Sequence, residues 1–139
     1  MARAPKPSGT DLDLAAEMAE CYALGDFTGA LRIAELVLGG DAAHPQARLY
    51  ARYSRQRLEQ IYSSRLGSSS HVPVVTVRDS EVRWLGLDHR AGFLLSRIDG
   101  THSVDMLIDV SGMQRLEALK TLVELLEAGA IRMEEPRGV

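Results

Sequence analysis

This chain of 139 residues has four histidines and one cysteine, the side chains that most often bind zinc together, and they are scattered along it. Asp88 beside His89 does not suit an acid–base pair, because adjacent residues on a helix point in different directions. None of the histidines has the i,i+4 histidine or the nearby cysteine of a zinc site. These histidines are His44, His71, His89 and His102. The spacing therefore predicts no catalytic residue, no metal site and no cofactor, and the protein is not expected to be an enzyme.

The nucleophilic side chains lead to the same expectation. Ser68, Ser69 and Ser70 lack the glycine-flanked pattern of a nucleophile elbow, and Gly39-Gly40 lacks the rest of a phosphate-binding loop. The single cysteine, Cys21, excludes an internal disulfide. It lies in an alanine-rich helical pattern, which favours packing over reactivity.

Recognition of charge is a different kind of chemistry, and one segment suits it. Between residues 47 and 66 there are five arginines and one acid, Glu59. Arg48, Arg52 and Arg55 follow one another at intervals of four and three, so they share one side of about two helical turns. One interpretation is a solvated face, with Arg55 paired to Glu59 at i,i+4.

The alternative interpretation of these arginines is a docking stripe for an acidic segment of a partner protein. Apolar side chains of that partner would then settle against Leu14 or Met18 on a neighbouring helix. In such a complex, charge chiefly sets the rate and specificity of association, while apolar contacts supply much of the affinity.

The elements that must position these residues follow from periodicity. Residues 1–10 are expected to be a disordered arm, and Thr10 can cap a first helix. Asp26 can cap a second helix that ends at Gly39-Gly40, and a third begins at Pro45 and runs to Leu66. The region 11–66 is thus predicted to be helical.

The second half is predicted to begin after a flexible linker at 67–71, and the domain at 72–133 precedes a tail at 134–139. A strand over Val72–Val77 and a return strand through Trp84, which we expect to be buried, form a hairpin. Helices capped by Asp88 and Ser103 and a leucine-rich helix from Gln114 follow. A short strand at 130–133 is then expected to pair with the hairpin. The fold class is therefore α+β and mainly α.

Composition limits the function classes only broadly. No apolar run approaches the roughly 20 residues of a membrane-spanning helix, and the first residues lack the core of a signal peptide. We therefore expect a cytoplasmic protein without membrane insertion. The net charge is −3, and the second half holds the excess of acids, which weakens the case for a nucleic-acid partner. The sequence does not determine the oligomeric state.

The first half resembles a tetratricopeptide repeat over about residues 11–45. Gly25-Asp26-Phe27 suits the turn between the two helices of the repeat, and Ala30-Leu31 suits the position of close contact. The family's usual aromatic and small positions hold Leu14 and Met18 instead. The resemblance implies a helical hairpin that packs on a third helix and leaves a groove for a protein partner.

Residues 72–133 resemble PqqD-like and related winged-helix modules, on the Leu-Asp-x-x-Ala-x-x-Leu-Leu helix that begins at Leu87 and the Ile-Asp-Gly corner at Ile98. The whole order is similar to small myxobacterial-type signalling proteins. The resemblance implies a non-catalytic adaptor or regulator of bacterial signal transduction. PqqD-like domains bind an extended peptide beside their strand and helix, so the resemblance also implies a peptide at the edge of Val72–Val77.

The alternative function is that of a DNA-binding winged-helix regulator. The helix from Gln114 would then enter the major groove and offer Gln114, Arg115 and Lys120 to bases and phosphates. The same helix carries three acids that phosphates would repel, Glu117, Glu124 and Glu127. We therefore prefer the adaptor, and DNA is the less favoured partner.

Overall fold

The computed structural model describes residues 7–136, with backbone only for residues 7–12. Its helices and its small two-stranded antiparallel sheet confirm the predicted α+β, mainly α class. The described elements are α1 (Pro7–Ala23), α2 (Phe27–Gly40), α3 (Pro45–Arg65), β1 (Val72–Val75), α4 (Asp79–Val82), α5 (His89–Arg97), α6 (Val104–Ser111), α7 (Arg115–Glu127) and β2 (Ile131–Glu134). Within the described residues, no helix has the length and apolar character needed to cross a membrane.

Contacts divide the chain into two compact units, with the division between residues 58 and 59, inside α3. The sequence places this boundary further along, at 67–71. The difference has a physical cause, because Leu66 is buried in the core of the second unit and Tyr62 packs against that core. The last turns of α3 therefore belong with the residues that follow them.

In the first unit, α1 begins at Pro7 rather than after the predicted cap at Thr10. Proline is accepted in a first helical turn, because the N–H it lacks has no partner there. The predicted arm is therefore helical from residue 7 onward, and its residues 1–6 lie outside the described part. The last residues of the predicted tail, 137–139, lie outside it as well.

The turn between α1 and α2 forms as predicted. Gly25 takes a positive φ of 82°, which glycine adopts without strain, and Asp26 then caps α2 by accepting a hydrogen bond from the N–H of Gly29 at 2.9 Å. Small buried side chains on α2 and α3 allow close packing inside the unit. The buried residues here are Met18, Ala30, Leu31, Ala34, Ala47, Ala51, Ser54 and Leu58.

The second unit is built around α7, which is buried along most of its length. Its neighbours α5 and α6 contribute apolar residues at helical spacing, and β2 closes the core through Ile131. Each fully buried leucine here stabilises the fold by about 1.5–3 kcal/mol. The buried residues of α7 are Ala118, Leu119, Thr121, Leu122, Val123 and Leu125.

The predicted caps of α5 and α6 are both confirmed. The Asp88 carboxylate accepts from the N–H of Ala91 at 2.9 Å, and the Ser103 hydroxyl accepts from the N–H of Met106 at 3.2 Å. Gly100 has a positive φ of 81° in the corner between the two helices. The corner between α5 and α6 therefore forms at the Ile-Asp-Gly segment, where the sequence places it.

The predicted hairpin does not form. β1 pairs with β2, the predicted last strand, in antiparallel register with Val72 opposite Glu134. The segment after β1 turns into α4 and a 3-10 turn at Arg83–Leu85, because the N–H of Arg78 donates to the Glu81 carboxylate at 3.0 Å and closes a helical turn. The prediction of a return strand through Trp84 is therefore wrong.

Candidate functional site

The outer side of α3 in the first unit carries both charge and exposed apolar surface. Arg48 and Arg52 are exposed. The residue after each arginine, Leu49 and Tyr53, keeps 45% and 43% of its surface in contact with solvent, respectively. The opposite side of the helix is buried through Ala47 and its neighbours at helical spacing. We refer to Arg48, Leu49, Arg52 and Tyr53 as the α3 face.

The two arginines of the α3 face make no ion pair within the described part of the chain. With Leu49 they line a surface depression of about 490 Å³, which is completed by Ala43 and Pro45. A guanidinium without an acidic partner, beside the exposed side chain of Leu49, can hold a carboxylate while an aliphatic side chain packs on the leucine. This combination suits a peptide or a helix with acidic and apolar residues.

Arg55, the third arginine of the predicted stripe, has a different environment. Its guanidinium lies 3.6 Å from the Glu35 carboxylate, on α2. The predicted pair with Glu59 is wrong, because the Glu59 carboxylate lies 3.5 Å from Arg115 in the second unit. Arg55 therefore already has an acidic partner within its own unit.

The two apolar site residues of the prediction differ from each other. Met18 is fully buried, with none of its surface exposed, so it cannot offer a contact to a partner. The prediction of Met18 as a contact residue is therefore wrong, because the side of α1 that bears Met18 is the packed side. Leu14 is half-buried and keeps some accessible surface.

Aromatic contacts that the sequence did not predict hold α3 against the helical hairpin. The ring of Tyr22 packs edge-on against Phe27 and Tyr50, with centroid distances of 5.1 Å and 5.5 Å. The Arg57 guanidinium lies 5.2 Å from the centroid of Phe27. These contacts give the α3 face a rigid support.

The serines after α3 do meet a histidine, which sequence spacing alone had not indicated. Ser68 Oγ lies 2.8 Å from His71 Nδ1, and the N–H of Ser70 donates to the same oxygen. In the described residues no carboxylate contacts His71. The carbonyls of Ser69 and His71 instead accept from the first N–H groups of α6, so this segment works as a cap that joins α3 to α6.

Cys21 and His102 each lie near a carboxylate. Partial burial, reinforced by the Asp26 carboxylate, raises the pKa of the Cys21 thiol, which keeps it protonated near neutral pH. His102 Nδ1 lies 2.9 Å from the Asp99 carboxylate. Within the part of the chain that the structure describes, no three His, Cys, Asp or Glu residues are grouped as a metal site.

In the second unit, the largest departure from expectation is Trp84. It is 81% exposed, because it lies on the 3-10 turn rather than on a strand with an inward face.

Of the proposed DNA-contacting residues, Arg115 forms ion pairs with Asp105, at 3.1 Å, and with Glu59. Gln114 and Lys120 are exposed, and the rest of α7 is largely buried in the core.

Comparison of the chain with protein-family models, with curated proteins and with solved structures found no match. The tetratricopeptide-like and PqqD-like resemblances therefore stay predictions.

Proposed function

We propose that the protein is a non-catalytic adaptor or regulator of bacterial signal transduction, and that it acts in the cytoplasm by binding a protein partner. The observation that carries the proposal is the α3 face. Its two arginines are unpaired among the described residues, and they border exposed Leu49 and the depression beside it.

The chemistry of this face favours an acidic protein segment. A guanidinium offers planar, paired donors that match a carboxylate, and Arg48 and Arg52 stand one helical turn apart. Leu49 and Tyr53 add apolar area of the kind that supplies affinity in protein interfaces. An acidic segment with an aliphatic residue satisfies both requirements.

Nucleic acid is a poorer fit to the same structure. Arg115, at the start of α7, is already neutralised by two carboxylates, and Glu117 receives an ion pair from Arg90. The exposed side of α7 further along carries Lys120 together with Glu124 and therefore has no uniform positive charge. We retain the adaptor as the proposed function.

A capture experiment with matched variants tests the proposal. Tagged wild type is compared with an Arg48→Glu, Arg52→Glu variant in extracts of the native organism, and the recovered proteins are identified by mass spectrometry. A synthetic peptide covering the most acidic segment of a recovered protein is then titrated against both. The proposal expects the variant to lose the protein and to bind the peptide at least about tenfold more weakly.

The control is Arg78→Glu, Arg83→Glu, which makes the same change in net charge at two exposed arginines of the second unit. It should recover the partner as wild type does. Equal recovery by wild type and by the Arg48→Glu, Arg52→Glu variant would refute the α3 face as the binding site.

A further inference from the structure

The exposed side of α1 is the chemical complement of the α3 face. Asp13, Glu17 and Glu20 are exposed along one side of the helix, at intervals of four and three. None of the three makes an ion pair within the described residues. At the end of this side, Leu24 leaves 78% of its surface exposed. We refer to these four residues as the α1 face.

The charged residues of the two faces are similarly spaced. The α1 face spans residues 13–24, about 18 Å along a helix, and the α3 face spans residues 48–53, about 9 Å. Glu17 and Glu20 are separated by one helical turn, as are Arg48 and Arg52. Both faces belong to the first unit, yet no ion pair joins them within one chain.

We propose that the α3 face is occupied by the α1 face of a second copy of this chain, in a symmetric dimer. The inference rests on the proposed function in one respect, which is that the α3 face is a protein-binding surface. A twofold axis satisfies both faces of both copies, because α1 of each copy meets α3 of the other and neither charged face is left over.

An antiparallel contact gives the best correspondence of side chains. With Glu20 opposite Arg48 and Glu17 opposite Arg52, Leu24 lies four residues further along. It then falls opposite residues 44–45, at the depression that Ala43, Pro45 and Leu49 line. The charged pairs fix the register, and Leu24 supplies the apolar contact at each end.

The dimer should be weak and sensitive to salt. Exposed ion pairs contribute about 0.2–1 kcal/mol each and are screened by added ions, so the four pairs in the dimer supply part of the affinity. Burial of Leu24, Leu49 and Tyr53 supplies the remainder. The dissociation constant of the dimer should therefore rise with ionic strength. Part of the protein should still be dimeric at high salt, because the apolar contacts are not screened.

Charge exchange between the faces tests the proposal by sedimentation equilibrium of the full chain. An Arg48→Glu, Arg52→Glu variant and a Glu17→Arg, Glu20→Arg variant should each raise the dimer dissociation constant by about tenfold or more. An equimolar mixture of the two should dimerise again, because each acidic face then meets a basic one. The fourfold variant that carries all four changes should also dimerise.

Arg78→Glu, Arg83→Glu is the matched control, and it should dimerise as wild type does. A Leu24→Ser variant, whose charged residues are unchanged, should raise the dissociation constant at every salt concentration. Circular dichroism establishes that each variant is folded, which is expected because every changed side chain is exposed.

A wild type that stays monomeric at submillimolar concentration would overturn the inference, since a weak interface is populated there. A dimer that survives both single-face variants would also overturn it, because another surface would then hold the copies together. Either result leaves the proposed function intact if the arginine variant still loses a captured acidic protein. If the arginine variant keeps both the dimer and the captured protein, the dimer proposal and the proposed function are both refuted.

Discussion

Arg55 Nη2 lies 3.6 Å from Glu35 Oε2, and this ion pair joins α3 to α2 within the first unit. The pair separates Arg55 from the two arginines that precede it on the same helix. Although the three residues share one side by spacing, Arg55 is engaged within its own unit, whereas Arg48 and Arg52 have no acidic partner among the described residues. The predicted stripe therefore contains one arginine that has an acidic partner and two that have none among the described residues.

Arg55→Ala should consequently change stability more than binding. We expect a loss of about 0.2–1 kcal/mol in the free energy of unfolding, because both side chains of the pair are partly solvated. Partner capture should stay close to that of wild type. Urea denaturation measures the first effect, and Arg48→Ala serves as the comparison, with weaker capture and little change in stability. Loss of capture by Arg55→Ala would place Arg55 in the binding surface after all.

Trp84→Ala should cost little stability, because the side chain projects into solvent from a 3-10 turn. We expect a change within about 0.5 kcal/mol, as for other surface positions. Leu122→Ala, at a fully buried position of α7, should cost about 2–5 kcal/mol. Thermal unfolding followed by circular dichroism compares the two variants. Since Trp84 is the only tryptophan, acrylamide should also quench the fluorescence of the folded wild type efficiently.

The contrast between Trp84 and the helix caps shows what sequence can predict here. A cap such as Asp88 or Ser103 acts on backbone N–H groups within three residues of itself, so local sequence contains the whole interaction. Trp84 had been placed on the return strand of a hairpin with Val72–Val77, and such pairing depends on a second segment as well as on the residues around Trp84. In the structure a helical turn closed by Arg78 and Glu81 replaces that strand, and β1 pairs with β2.

The candidate site divides in the same way. Helical spacing correctly placed the arginines on a common side of α3, since periodicity is local. It could not reveal that Arg55 meets Glu35, or that Met18 is packed, because both facts depend on how α1, α2 and α3 meet. Tertiary contacts therefore decided which residues of the predicted site are free to bind.

Two glycines of the second unit should respond in opposite directions to the same substitution. Gly92 lies inside α5, where an added methyl group meets open space, so Gly92→Ala should stabilise the protein by about 0.5–1 kcal/mol. Gly100 has φ of 81°, so Gly100→Ala should destabilise it by about 1–2 kcal/mol. Gly100→Val, with a branched side chain, should cost at least as much. Melting temperatures of the three variants would refute this account if they all shifted the same way.

The Asp99 carboxylate should make stability depend on pH in the acidic range. The backbone N–H and the hydroxyl of Thr101 donate to it at 2.9 Å and 2.8 Å, and these bonds hold the pKa of Asp99 well below its usual range. Because the folded state lowers this pKa, the charged form contributes stability above the pKa of the unfolded chain, about 3.9. That contribution declines as the pH falls below about 4 and the unfolded state takes up the proton first.

Asp99→Asn removes the charge while keeping an oxygen that can accept from Thr101. Wild type should be more stable than this variant near neutral pH, and the difference between them should shrink steadily as the pH is lowered below about 4. Urea midpoints measured for both proteins along a pH series give that difference directly. A difference that stayed constant down to the acid limit would mean that shape, and not charge, is what Asp99 contributes to the corner between α5 and α6.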